Sequence, residues 1–184
     1  KPMSRAPLRI LPTLVLCAGL WALPAGAEEL GQVRFTFDGV EKTWYTVLRN
    51  IKGKARPSAS LKESRMTTRV AIDAWADPDA APSPESVTIT LIYVHAPAAS
   101  GPIDYRHPAN RKIEWVLEGF SGPRWIARGI KLEIETADLA GATGRLAGTF
   151  SAEFCHATGI SDKPDEASCR PVSGTIDTKV VRKD

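Results

Sequence analysis

The sequence predicts an all-β domain, an antiparallel two-sheet sandwich of about eight strands. Apolar residues recur with period two through most of the chain after residue 27. Polar clusters of Gly, Pro, Asp and Ser separate these runs, as turns do between short strands. No window of helical length sustains an i, i+3, i+4, i+7 apolar stripe. The alternative with the same strand grammar is a small lipocalin-like barrel, closed on itself around a ligand. The sandwich is favoured because the segments Asn50–Ser60, Asp77–Ser86 and Ala96–Lys112 read as loops longer than the tight turns of an up-and-down barrel.

The first 27 of the 184 residues read as an address. Lys1, Arg5 and Arg9 form a basic stretch with no acid in it, and Ile10–Leu23 is an apolar run of 14. Pro24-Ala25-Gly26-Ala27 supplies small residues for cleavage, so a secretory signal ending at Ala27 is expected. A core helix is disfavoured because Pro12 and Pro24 bracket the run and no polar face interrupts it. Leu14-Val15-Leu16-Cys17 has the outline of a lipoprotein box. Leu16, however, stands where a small residue belongs, and cutting there leaves apolar Ala18–Leu23 on the new terminus. A soluble periplasmic or secreted domain, 28–184, follows as the expectation, and the Ala/Pro/Arg-rich style suggests a bacterial source.

The whole chain carries 24 Lys+Arg against 21 Asp+Glu, a formal charge of +3. Three of those bases lie in the signal, which leaves 21 against 21 in residues 28–184. A neutral domain has no overall field for nucleic acid or acidic membrane, though a local patch remains open. No run reaches the roughly 18 apolar residues a transmembrane helix needs, so no span is expected in the mature chain.

Along the domain, Val33, Phe35 and Phe37 alternate with Arg34, Thr36 and Asp38. Asp38-Gly39 then turns the chain into Lys42–Val47, a strong hairpin signal. Ser58–Met66 is the one segment read as a short helix. Thr67–Trp75 reads as a strand. Val87–Val94, apolar on one face and mixed on the other, reads as a central strand. Ile113–Leu117 and Ile130–Ile134 alternate apolar residues with Glu and Lys. Near the end Leu146–Phe154 and Val172–Val180 resemble each other and read as two strands of one hairpin. Parity turns Thr149, Ser151 and Glu153 outward on the first, and Ser173, Thr175 and Asp177 outward on the second. Cys155 and Cys169, the two cysteines outside the signal, are expected to bridge the ends of those strands. The 13 residues between them make the loop closure worth roughly 3 kcal/mol. A Cys155-His156…Cys169 metal site lacks the fourth ligand of structural zinc.

Motifs for chemistry are few. The phosphate-cradling G-x-x-x-x-G-K-[ST], the dinucleotide G-x-G-x-x-G and the G-x-S-x-G elbow are all absent, so no cofactor is expected. His95, Asp104 and His107 lie around one long loop and form the only metal or hydrolytic alternative, without tight ligand spacing. Glu114/Glu118 and Glu133/Glu135 read as solvent faces of strands.

Charge, by contrast, is segregated. Arg49, Lys52, Lys54, Arg56, Lys62, Arg65 and Arg69 accompany a single acid, Glu63, and Asp73, Asp77, Asp79 and Glu85 follow without a base. Arg124 and Trp125, after Gly122-Pro123, are read as a loop pair suited to sugar or protein contact. The expectation is an exported, non-enzymatic binding module for an unknown protein, glycan or anionic surface. Arg49, Lys52, Lys54, Arg56, Arg124 and Trp125 are the candidate contacts. A barrel carrier of a small apolar ligand and an enzyme built on His95, Asp104 and His107 are the alternatives.

Overall fold

The Asp-Gly pair makes the hairpin it predicts. Strands β1 (Glu28–Phe37) and β2 (Val40–Ile51) pair antiparallel across Asp38 and Gly39, both at positive φ (50° and 78°), the backbone of a type I′ turn. The computed structural model describes residues 27–80, 82–95 and 103–183; the expected signal and Cys17 lie outside them. After β2 come β3 (Lys54–Pro57), β4 (Ala59–Glu63), β5 (Thr67–Trp75), β6 (Ser86–Val94) and β7 (Asn110–Val116). The long strands β8 (Arg124–Asp138), β9 (Thr143–Ala157) and β10 (Arg170–Lys183) complete the chain, with one 3-10 turn at Glu166–Ser168 before β10.

Two segments differ from expectation. Ser58–Met66 holds β4 where a short helix was expected, because Leu61 pairs with Val70 and buries its side chain in the same core. Tertiary burial overrides a weak local preference there. Asn50–Ser60, expected as a loop, instead carries a second tight hairpin between β2 and β3. Its turn, Lys52-Gly53, repeats the paired positive φ values at 52° and 75°.

The all-β class stands, and all ten strands belong to one hydrogen-bonded sheet. Its ladders form a ring: β1–β2–β5–β6–β7–β8–β9–β10 and back to β1, with β4 wedged between β10 and β5 and β3 appended to β2. This is the connectivity of the barrel alternative rather than of two separate sheets. Pairing is antiparallel throughout, save for the three-residue parallel contact of β10 with β4. Closure without a break is possible because the long strands bend. β8 is bulged at Arg128/Lys131 and again at Ile134/Thr136, and β1 at Glu29/Gly31. The narrowest seam joins β2 to β5 through the single pair Tyr45–Trp75, β7 joins β8 through Glu114–Val116 alone, and Ile103 and Tyr105 pack on the core from the connection before β7.

Inward side chains meet in one interior. Phe35 stacks on Trp44 at 4.4 Å, and Trp115, Phe150 and Phe154 stand edge-on around it. The space where a barrel carrier keeps its ligand is occupied by these rings. Gly174 makes room for them, since a Cβ there would lie 2.2 Å from the Arg34 carbonyl and 2.6 Å from Phe35 Cβ. Cys155 and Cys169 form the expected disulfide, tying the end of β9 to the start of β10.

Two stability tests follow. Gly174→Ala is expected to cost about 1–3 kcal/mol in urea unfolding, because backbone lies on one side of the new methyl and packed rings on the other. Cys155→Ala/Cys169→Ala is expected to lose roughly 3 kcal/mol, the entropy of the loop it opens.

Candidate functional site

Strand register sorts the charged segments to opposite ends of the ring. At one end lie the β2–β3 turn, the β4–β5 turn, the start of β7 and the end of β10. At the other lie the β1–β2 turn and the connections 76–85, 117–123 and 158–169. The segregation seen along the sequence therefore becomes a polarity of the fold. The first end carries the basic segment 49–69 with Arg182 and Lys183, beside the acids Glu28, Glu29, Glu63 and Asp138; the second carries Asp38, Asp77, Asp79, Glu85, Glu118 and Glu166, beside the bases Arg128 and Arg170.

The β2–β3 hairpin concentrates the basic side. Arg49 faces Arg56 directly across the two strands, and Ile51 faces Lys54 two pairs nearer the turn, so these four share one face. Lys52 sits in the turn. None of Arg49, Lys52, Lys54 or Arg56 forms an ion pair among the described residues. A second basic row crosses three neighbouring strands, where Lys183 of β10 pairs with Lys62 of β4 and Lys62 with Arg69 of β5. Asp73 lies one outward position beyond Ala71 on β5. Burial raises its pKa above the ordinary 3.8, against the opposing hydrogen bond from Thr88 and the charges of Lys183 and Arg69.

The other candidates separate. Arg124 was expected on an exposed loop with Trp125, but it is 3% exposed, and its guanidinium donates to the carbonyls of Phe120 and Gly122. It is held inside by the turn it braces, and that turn leaves Phe120 83% exposed. Trp125 is half-buried, edge-on to Phe37 and to His156. His95, Asp104 and His107 do not act as one set. His95 Nε2 lies 2.8 Å from Thr68 Oγ1, while His107 Nδ1 lies 2.8 Å from Asp104 Oδ2 in an exposed pair. Among the described residues no group of three or more His, Cys, Asp or Glu is placed to hold a metal. Glu114, expected on a solvent face, is mostly buried and pairs with Lys112 at 2.9 Å.

One surface escaped the sequence reading. Three adjoining concavities of about 540, 570 and 700 Å³ run end to end over the outer face of β1, β10, β9 and β8. Their shared lining includes Arg34, Thr149 and Thr175 between two of them, and Lys131, Ser151 and Ser173 between another two. The signal was present: the outward parity of the two similar segments, 146–154 and 172–180, names the floor of this trough. What was missing was the knowledge that β1 and β8 flank it.

No known family, no curated protein and no solved structure matches this chain.

Arg124→Ala is expected to cost about 2 kcal/mol, since it strips charged donors from two carbonyls in a part-buried turn. Asp73 gives a pH test. Its raised native value means the folded state holds the proton longer, so this group's contribution falls as pH rises from 3.8 through that value. Asp73→Asn is expected to remove that decline and to melt higher than the parent at neutral pH, measured by calorimetry across the acid range.

Proposed function

We propose that this chain is a non-enzymatic binding module of an exported compartment whose basic end docks an anionic partner, an acidic protein surface or an anionic ligand. One observation carries the reading: the β2–β3 hairpin projects four bases with no acid paired to any of them, and two arginines sit directly opposite each other. Like charges across a strand pair destabilise by roughly 0.2–1 kcal/mol. An arrangement that costs stability in the free protein and is relieved by an anion has the energetics of a binding site. The disulfide supports an oxidising compartment, and the basic, apolar and small-residue order of residues 1–27 supports export by a cleavable signal.

The local character of the patch matters as much as its sign. The domain is formally neutral, so attraction is confined to the one end where the bases gather, and it falls off within about 10 Å at 0.1 M salt. Such a surface orients a partner rather than merely collecting polyanions.

The test is retention on an immobilised sulfated polysaccharide across a salt gradient. Arg49→Glu/Arg56→Glu is expected to elute well before the parent, while Arg128→Glu, at a residue remote from the hairpin and held by Glu166, elutes with it. Equal elution of parent and double variant would sink the reading. A companion substitution separates function from folding: Arg56→Thr is expected to weaken retention and to raise stability by a few tenths of a kcal/mol, about the size of the removed repulsion.

A further inference from the structure

The trough on the outer face of β8–β9–β10–β1 is built differently from the basic end. Its floor is small and hydroxylic, and its banks are long and charged. Two transverse rows can be read from the register. One runs Glu133, Thr149, Thr175, Arg34 across β8, β9, β10 and β1. The next runs Lys131, Ser151, Ser173, Thr36 across the same strands and reaches Glu41 on β2. Depth comes from side-chain length, because Ser and Thr lie between Arg, Lys and Glu. At about 4.8 Å per strand the banks stand about 14 Å apart; the hydroxylic floor is the two rows Thr149/Thr175 and Ser151/Ser173, about 7 Å along the strands, with Glu153 and Pro171 beyond it at one end and the Arg145–Asp177 pair and Lys179 at the other.

The hydroxyls in the middle of this trough are unspent, while Arg145 and Asp177 at one end of it are paired with each other. The hydroxyls of Thr36, Thr149, Ser151, Ser173 and Thr175 make no side-chain hydrogen bond among the described residues, and all five residues are exposed. Arg34 donates only to Gln32, and Lys131, Glu133 and Glu41 form no ion pair. Each row ends in an acid on one bank and a base on the other, in opposite order. The floor holds these opposite charges too far apart to neutralise each other.

That pattern selects a ligand by elimination. A polyanion would meet Glu41, Glu133 and Glu135 inside the same walls. Single-stranded nucleic acid needs stacking faces, and the floor has no exposed aromatic ring. An added peptide strand needs a free ladder edge, whereas β9 and β10 are paired on both sides over the floor. A neutral polyol matches it, because each sugar hydroxyl both donates and accepts. Such hydroxyls find acceptors in the Glu carboxylates, donors in Arg34 and Lys131, and partners of either kind in the Ser and Thr hydroxyls.

We propose that this trough is a binding site for a neutral oligosaccharide lying along the strands, with Thr149 and Thr175 on its floor and Arg34 and Glu133 on its banks. The site is separate from the basic hairpin and stands without it. With no aromatic platform, affinity rests on hydrogen bonds, so the two floor threonines carry a measurable share of it.

The test is an NMR titration of the full chain with cellohexaose and, separately, maltohexaose, following backbone amides. Expected is saturable shifting with at least one of them, confined to the amides of β9 and β10 that floor the trough. Thr149→Val/Thr175→Val preserves shape and strand preference and is expected to weaken binding roughly tenfold for two lost hydrogen bonds. Ser173→Tyr, which fills the trough, is expected to abolish it, and Arg49→Glu/Arg56→Glu to leave it unchanged. No saturable shift with either sugar overturns the proposal. So does shifting that maps elsewhere or survives both trough variants. Sensitivity to the hairpin variant alone would return the ligand to the basic end. Loss of polysaccharide retention in the hairpin test, by contrast, bears only on that end.

Discussion

Everything in this fold depends on the ladder closing on itself. β10 is the strand on which closure turns: over its length it pairs with β9 on one side, and with β1 and then β4 on the other. Closure sends every inward side chain into a single interior, which is filled around the Phe35–Trp44 stack. Gly174 sits where β10 crosses that stack, and its missing side chain is the room the Phe150 ring occupies. A ring of strands presents no free edge over its closed part, so strand addition needs no guard there.

The two surfaces proposed for binding arrange their charges in opposite ways. At one end, bases accumulate without acids on a hairpin and on a row spanning β10, β4 and β5. On the outer face of the long strands, charges of both signs face each other over hydroxyls and stay apart. The first surface holds like charges close together, which is the ground for the proposed anionic partner. The second holds hydroxyls with no partner in the chain, which is the ground for the proposed neutral one. They lie on different parts of one sheet, and the Arg145–Asp177 pair, with the arginine's hydrogen bond and charge holding Asp177 below its ordinary pKa, lines one end of the second.

The buried arginine shows why residue type alone misleads. Arg124 followed by Trp125 has the composition of a contact site, yet the guanidinium is consumed by the carbonyls of Phe120 and Gly122. Sequence places Arg124 after Gly122-Pro123 but says nothing of which carbonyls that turn aims inward. Lys52-Gly53 was missed as a turn for a related reason: lysine, unlike Asn or Asp, does not advertise a left-handed backbone. The Asp38-Gly39 turn, with the residue type that does, was legible.

By itself the sequence determined the local alternation along most of the long strands, the Asp-Gly hairpin, the pairing of Cys155 with Cys169 and the segregation of charge. These follow from the two-residue period of a strand and from turn chemistry, both set within a few residues. Only the tertiary structure decided that the strands make one closed sheet, that 59–63 is a strand, and that Arg34 and Lys131 stand on opposite banks of one trough. Those outcomes depend on which strands become neighbours. Neighbours are chosen by burial and closure between residues more than a hundred positions apart, as when β1 pairs with β10, and no local pattern carries that information.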